Sequence, residues 1–325
     1  MSDETGVRSA REALTGAAEA ARHAPSIHNT QPWRWVVRDD ALELHTQRTR
    51  QLRELDSQGH LLMMSCGTAL HHARVALAAE AWQFDVERHN EDPVARIRPT
   101  RRTELDPGDM RHVQTMLLRH TDRRTVTGEP VDPAAVDAMA AAVTAEGVQF
   151  HTVRREDLVE LAVAVERAQL AEDADERMAA ELANWIGGDR PEGTGIPDSS
   201  IPANLPPTTV AERDFGRPGT LDAGPGHDTS AVYALLYGAS DGPVDWLRAG
   251  EALSAAWLTA TEHGLTLLPF SAPVELAGTR HALRRMLSNV GYPYLAVRIG
   301  ATDPDHAGSP HPPRLPSDQV IEFVD

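Results

Sequence analysis

Apolar residues recur at helical spacing in five long stretches of the chain and at alternate positions in several short ones. Residues 9–23 are rich in Ala, Glu and Leu and predict a helix. Residues 59–82 (GHLLMMSCGTALHHARVALAAEAW) predict a second, long one. In residues 132–147 the end signals are explicit: Asp132 as N-cap, Pro133 at the first helical position and Gly147 as the stop. Further helical patterns span 157–186 and 243–264. The runs WRWVV (33–37) and ALELHT (41–46) predict two short strands turning at Asp39–Asp40, and SAVYALLY and YLAVRIG predict two more. Glycine and proline break every period between residues 187 and 229. So long a segment without periodic structure is either functional, such as a lid, or mobile.

One stretch of the pattern occurs twice. GTALHHARVALAAEAW (67–82) lines up with GEALSAAWLTATEHGL (250–265) at an offset of 183, so that Gly67 falls on Gly250. RDDALEL (38–44) lines up with REDLVEL (155–161) at an offset of 117. The smaller offset comes earlier, which implies an insertion in the second copy that includes the Gly/Pro-rich segment.

Composition narrows the partners. With 48 acidic and 31 basic residues the formal charge of the 325-residue chain is −17, which disfavours nucleic acid and anionic membrane surfaces. A small anion can bind only where arginines are gathered locally. The single cysteine, Cys66, excludes an intrachain disulfide framework, and neither a signal-peptide core nor a membrane-length apolar run is present, so a cytoplasmic protein is expected. The histidines are scattered without an HExxH pattern, so no metal site is expected.

Three segments carry candidate chemistry. RHTDRRT (119–125) places Arg119, Thr121 and Arg123 alternately, so extended backbone would point two guanidiniums and a hydroxyl the same way, either to grip a phosphate or as an exposed polar turn. Arg314, bracketed by prolines, is a second basic candidate. HAPSIHNTQPWRWVV (23–37) offers Ser26, Asn29 and Gln31 as donors and acceptors, with Pro25 and Pro32 holding the backbone out of a helix and Trp33 and Trp35 reading as core. A rival is GASDG (238–242), a G-x-S-x-G pattern between a strand and a helix, with Ser240 as nucleophile, His263, His281 or His306 as base and Asp245 or Glu275 as orienter. Pro243 and the lack of an oxyanion loop upstream count against it.

Taken together, APSIHNTQPWRWVV, RHTDRR, the helix 245–262 with LLPFSAP after it, and the GYP of LSNVGYPYLAVRIG resemble the nitroreductase-like flavoproteins, and the whole chain is similar to their Acg branch. The resemblance implies an α+β nitroreductase-like fold of two degenerate repeats, each an antiparallel-rich sheet flanked by helices. Its halves would be 1–112, carrying P-S-x-x-N-x-Q-P-W, and 113–325, carrying the arginine motif and a lid-like insertion at about 187–229. Ordinary members are dimers with two flavin sites; here each motif occurs once, which implies a fused pseudo-dimer, monomeric, with one FMN. By matched position Arg119, Thr121, Arg123 and Arg314 would hold the FMN phosphate. Pro25, Ser26, Ile27, Asn29 and Gln31 would meet the cofactor from the other half. Pro269 and Phe270 would pack on the ring, with a backbone N–H near Ser271 or Ala272 at flavin N5. Pro312 stands where many relatives have a second basic residue. The implied activity is transfer of hydride from NAD(P)H through FMN to a small nitroaromatic or quinone-like acceptor, with no acid or base of the protein required. The alternatives are a catalytically silent flavin-sequestering protein whose lid covers FMN and, third, a serine hydrolase using Ser240.

Overall fold

Two sheets and a pair of crossed helices organise the molecule. The computed structural model describes residues 9–187, 192–224, 226–302 and 311–324. Residues 188–191 and 225 of the expected lid, and His306, lie outside the described residues. Helix α1 (Ala10–Ala21) leads into the hairpin β1 (Trp33–Val37) and β2 (Leu42–Thr46), then α2 (His60–Ala79), the hairpin β3 (Trp82–Arg88) and β4 (Ala95–Arg102), and α3 (Pro107–Leu118). The chain continues through α4 (Pro133–Ala145), β5 (Gln149–Thr152), α5 (Leu158–Ala174) and α6 (Glu176–Asn184). After the Gly/Pro-rich segment come β6 (Val232–Gly238), α7 (Pro243–Glu262), β7 (Thr266–Phe270), the short α8 (Ala272–Glu275), α9 (Ala277–Met286), β8 (Tyr292–Gly300) and β9 (Ile321–Phe323). No helix among the described residues is long and apolar enough to cross a membrane.

Local chemistry explains the element ends. Ser9 and Glu12 form a capping box on α1, and Asp132 accepts from Ala134 N ahead of Pro133 on α4. The helical pattern at 157–186 breaks at Asp175, whose carboxylate accepts from Arg177 N and Met178 N and so starts α6. Ser240 is also part of a helix start. Its hydroxyl donates to Asp245, whose other oxygen accepts from Gly242 N, and no histidine hydrogen-bonds it among the described residues. The G-x-S-x-G pattern therefore begins α7.

The first sheet runs β3-β4-β2-β1-β9, antiparallel except for the parallel β1–β9 pair, and the second runs β7-β8-β6-β5. Strands β1–β4 and β5–β8 share one order of elements, helix, two strands, long helix, two strands, except that α5 and α6 stand between β5 and β6 and α8 and α9 between β7 and β8. In each set the leading helix packs on the long one, α1 on α2 and α4 on α7. The eleven residues 22–32 join α1 to β1, whereas 146–148 suffice between α4 and β5. Two details depart from the sequence reading. The offset-117 match pairs a turn and strand (38–44) with the start of a helix (155–161), so the extra chain begins directly after β5. The 112/113 division falls inside α3, and β9 closes the first sheet, so the two sets interlock.

Helices α2 and α7 are buried on nearly all sides because each packs on a sheet and on the other, which is why neither shows a narrow apolar stripe. They cross backbone to backbone. A Cβ on Gly67 would lie 1.9 Å from Leu247 O, and one on Gly250 would lie 1.9 Å from Met64 O. His71 Nδ1 and Ser254 Oγ meet at 2.9 Å, again 183 positions apart.

Asp56 ties the start of α2 by accepting from Leu62 N at 2.8 Å. Burial, reinforced by Glu275, pushes its carboxyl up to about 7 despite the backbone donors. Its folded value lies above the unfolded one, so its cost to the folded state is absent below about pH 4 and grows as pH rises towards and through 7. Asp56→Asn keeps the acceptor and removes the charge. Urea unfolding should show the variant more stable than the wild type at pH 8 by on the order of 2 kcal/mol, with the gain shrinking towards pH 4. An equal change at both pH values would contradict the assignment.

Candidate active site

A cavity opens beside the α2–α7 crossing. One wall is α2 (Leu61, Met64, Ser65, Thr68) and α7 (Leu253, Trp257), and a second is the end of β7 with the turn into α8 (Leu268 to Ala272). The loop 25–28 and Glu212, Arg213 and Phe215 of the insertion close it. A second space adjoins, sharing Pro25, Ser26, His28, Thr121 and Arg123, and it brings in Arg119, Asn29 and Arg314. The two form one elongated site, mostly apolar at one end and cationic at the other.

The loop before β1 is held in an uncommon backbone form. His28, Asn29 and Gln31 all have positive φ (43°, 56° and 47°), a conformation that non-glycine residues rarely adopt and that gathers at functional sites. Ser26 Oγ accepts from Gln31 N at 2.9 Å, Ile27 N donates to Ser65 Oγ at 3.1 Å, and Thr68 Oγ1 donates to Pro25 O at 2.5 Å. Helix α2 thus fixes Pro25, Ser26 and Ile27 at the cavity mouth. Trp33 and Trp35 are fully buried in the core.

At the cationic end Arg119, Thr121 and Arg123 all line the smaller space, while Asp122 between them pairs with the following Arg124. Asp122 is held well below the usual carboxylate range by hydrogen bonds from Arg124 and the His120 ring 3.6 Å away, which together outweigh its burial. Arg119 is 2% exposed, and its Nε and Nη1 have no hydrogen-bond partner among the described residues. Its guanidinium lies 4.6 Å from the Trp257 ring centre. Burial, helped by Arg314, lowers its pKa to about 9. Arg123 donates to Ser200 O at 3.0 Å, and Arg314 Nη1 donates to Asn29 Oδ1 at 3.1 Å; burial lowers each to about 10. All three stay charged at neutral pH, so the cluster lacks only a multivalent anion.

Asn29 and Gln31 also hold distant segments together. Asn29 Nδ2 donates to Gly195 O (3.1 Å) and Pro313 O (3.0 Å). Gln31 Nε2 donates to Gly193 O at 2.6 Å, and its Oε1 accepts from Leu315 N at 3.0 Å. These amides bind the insertion to the C-terminal segment carrying Arg314. Asn29 still borders the smaller space, but Gln31 lines neither, because both ends of its amide are used.

Pro269, Phe270, Ser271 and Ala272 line the larger space as a group. Behind them lies an ionic cluster absent from the sequence reading: Arg213 of the insertion donates to Glu172 (2.7 Å) and Glu275 (2.8 Å), with Ser271 Oγ 3.4 Å away. Burial, and Glu275 beside it, push Glu172 up to about 8 against the pull of Arg213. Glu212, Arg213, Phe215 and Trp257 were all missed. Their one signal was ERDF (212–215), a charged pair and an aromatic ring within a stretch otherwise dominated by Gly, Pro and small residues.

Across the helix crossing the corresponding space is filled. Positions 183 away from Thr68 and Trp257 are Glu251 and Arg74. Glu251 is fully buried and accepts from Arg74 (2.7 Å) and Arg88 (2.7 and 2.8 Å), while Arg74 also pairs with Glu146 (2.6 Å). A buried ionic network occupies the place where the mirrored cavity would lie.

No family model matches the chain. It is 37% identical over 314 residues to the Mycobacterium tuberculosis protein Rv3131, which bears the name of an NAD(P)H nitroreductase, covering 93% of this chain and 89% of that protein. It is 32% identical over 318 residues to the M. tuberculosis protein acg, named in the same way, covering 95% of each. Among solved structures, the FMN- and NADPH-dependent nitroreductase NfnB from sphigopyxis sp. strain HMH aligns with 66% of this chain and 99% of its own, at 18% identity and a TM-score of 0.40. A nitroreductase with bound FMN from Bacteroides fragilis aligns with 66% and 98%, at 12% identity and the same score. With relatives above 30% identity covering almost its whole length, the chain belongs to the NAD(P)H nitroreductase family, alongside Rv3131 and acg.

Proposed function

We propose that the protein is a nitroreductase-type oxidoreductase that binds one FMN per chain and passes hydride from NAD(P)H to a nitroaromatic or quinone-like acceptor. The observation that carries this reading is Arg119, a buried guanidinium with two nitrogens unpartnered among the described residues, stacked on Trp257 at the cationic end of the elongated site. Arg119, Thr121, Arg123 and Arg314 would grip the phosphate. Pro25, Ser26, Ile27 and Asn29 would border the ribityl chain and ring, and 269–272 would face the ring edge. Bound FMN supplies the two-electron chemistry, so the protein orients the reactants and keeps water out.

The repeated element order and the self-matching contacts at Gly67 and Gly250 support two fused halves, with the second site lost to the Glu251–Arg74 network. A fused pair has already buried the surface that would otherwise join two copies, so a monomer is expected.

One observation favours a second reading, a flavin-holding protein. The insertion is bound over the cavity at two places, through Asn29 and Gln31 and through the Arg213 ion pairs, as a closed lid would be. Anaerobic mixing with NADPH and with NADH separates the two. Purified protein should be yellow, release one FMN per chain on denaturation and lose its flavin absorbance with a nicotinamide. Retention of the oxidised spectrum supports the holding role, and a protein that neither carries nor takes up FMN overturns both.

A further inference from the structure

Among the described residues lining the larger cavity, Glu212 is the only acid. It comes from the insertion, is 5% exposed, and is fixed at two points. Its backbone carbonyl accepts from Gln169 Nε2 at 3.1 Å, and Oε1 accepts from Arg298 Nη1 at 2.5 Å. Arg298 is itself buried and donates its other Nη to Arg124 O at 2.8 Å. Oε2 is buried and has no hydrogen-bond partner among the described residues. A carboxyl group with one oxygen anchored by a guanidinium and the other free is held ready for a single hydrogen bond.

We propose that Glu212 is the proton donor of this site, delivering a proton from Oε2 to an oxygen of the acceptor. The inference rests on the flavin reading above. Two-electron reduction of a quinone adds two electrons and two protons; a hydride brings both electrons and one proton, and the other proton must come separately. In that second transfer the O–H bond of Glu212 breaks, its electron pair stays on Oε2, and an O–H bond forms on the acceptor. Arg298 stabilises the resulting carboxylate, and solvent returns the proton. The same count reduces a nitro group to a nitroso group with loss of water. The neighbours set the proton affinity: burial, the largest influence, pushes the carboxyl up to about 7, Arg298 and Arg123 pull it down, and Asp122 raises it. Tyr233, which donates to Asp228, is the remaining titratable neighbour. A donor is most useful when its pKa lies near the working pH.

Glu212→Gln keeps the shape and the bond from Arg298 but carries no transferable proton. Infrared difference spectra of FMN-free protein between pH 5.5 and 8.5 should contain a carboxylic-acid band that the variant lacks, and FMN affinity at pH 8 should stay within a few-fold of the wild type. Flavin reduced with dithionite, then mixed anaerobically with a benzoquinone, isolates the second half of the cycle from the choice of nicotinamide. Its reoxidation should slow by about 100-fold in Glu212→Gln and lose the dependence on a group near pH 7, and Glu212→Asp should recover part of the rate. Equal reoxidation rates and pH profiles in wild type and Glu212→Gln overturn the proposal and leave the flavin reading intact. Failure of the wild type to bind FMN, or of its reduced flavin to react with any quinone, overturns the flavin reading and the proposal with it.

Discussion

Arg119→Met should weaken FMN binding by about 100-fold and at the same time raise the melting temperature of the FMN-free protein. Both effects come from the same feature. In the FMN-free state Arg119 keeps a buried positive charge next to Arg314 with no carboxylate paired to it among the described residues, and burial, helped by Arg314, lowers its pKa to about 9. Removing the charge relieves that cost. It orphans no protein group, because the side chain donates to none among the described residues; what is lost is the stacking on Trp257, on the order of 1 kcal/mol. With phosphate in the smaller space the sign reverses. Two charge-assisted hydrogen bonds at roughly 1.5 kcal/mol each amount to about two decades of affinity. Flavin fluorescence titration and thermal melts of the FMN-free protein read the two effects separately. Arg119→Lys should not restore tight binding, because an ammonium cannot reproduce the paired fork. Unchanged affinity in Arg119→Met would remove the phosphate assignment, and a lower FMN-free melting point would contradict the uncompensated charge.

Legibility in the sequence followed how local each feature is. Helix ends written in neighbouring residues, such as Asp132–Pro133 and Gly147, match α4 closely. The tryptophans alternating from Trp33 are core because β1 lies between β2 and β9. Alternation at 119–125 was readable as well: Arg119, Thr121 and Arg123 share the smaller space, and Asp122 between them pairs with Arg124 instead. Features depending on chain brought from afar were not readable. Gln31 looked like a ligand-reading amide, but its partners are Gly193 and Leu315, more than 160 positions away. Glu212 and Arg213 sit in a segment with no period, so no pattern assigned them a direction, and only the fold brings them against β8, α5 and α8. The offset-117 match failed for a related reason. Short mixed-charge sequences such as RDDALEL and REDLVEL form a strand or a helix according to what they pack on.

Gly67→Val should leave no folded protein, and Gly67→Ala should cost about 3 kcal/mol or more, far above the usual effect of alanine in a helix. In an ordinary helix interior alanine stabilises relative to glycine by roughly 1 kcal/mol. Here the added methyl would lie 1.9 Å from Leu247 O and 2.9 Å from Gly250 Cα, and those are backbone atoms that no rotamer change can move aside. The two central helices would have to separate. On one side that opens the cavity wall formed by Met64, Thr68, Leu253 and Trp257; on the other it stretches the Arg74–Glu251 network, whose buried charges are costly once unpaired. Gly278→Ala in α9 is the matched control, since a Cβ there meets nothing within 4 Å, and it should be neutral or slightly stabilising. Urea unfolding of the alanine pair decides the matter. If Gly67→Ala unfolds within about 1 kcal/mol of the wild type, the crossing tolerates separation, and its closeness is not what holds the two halves in register.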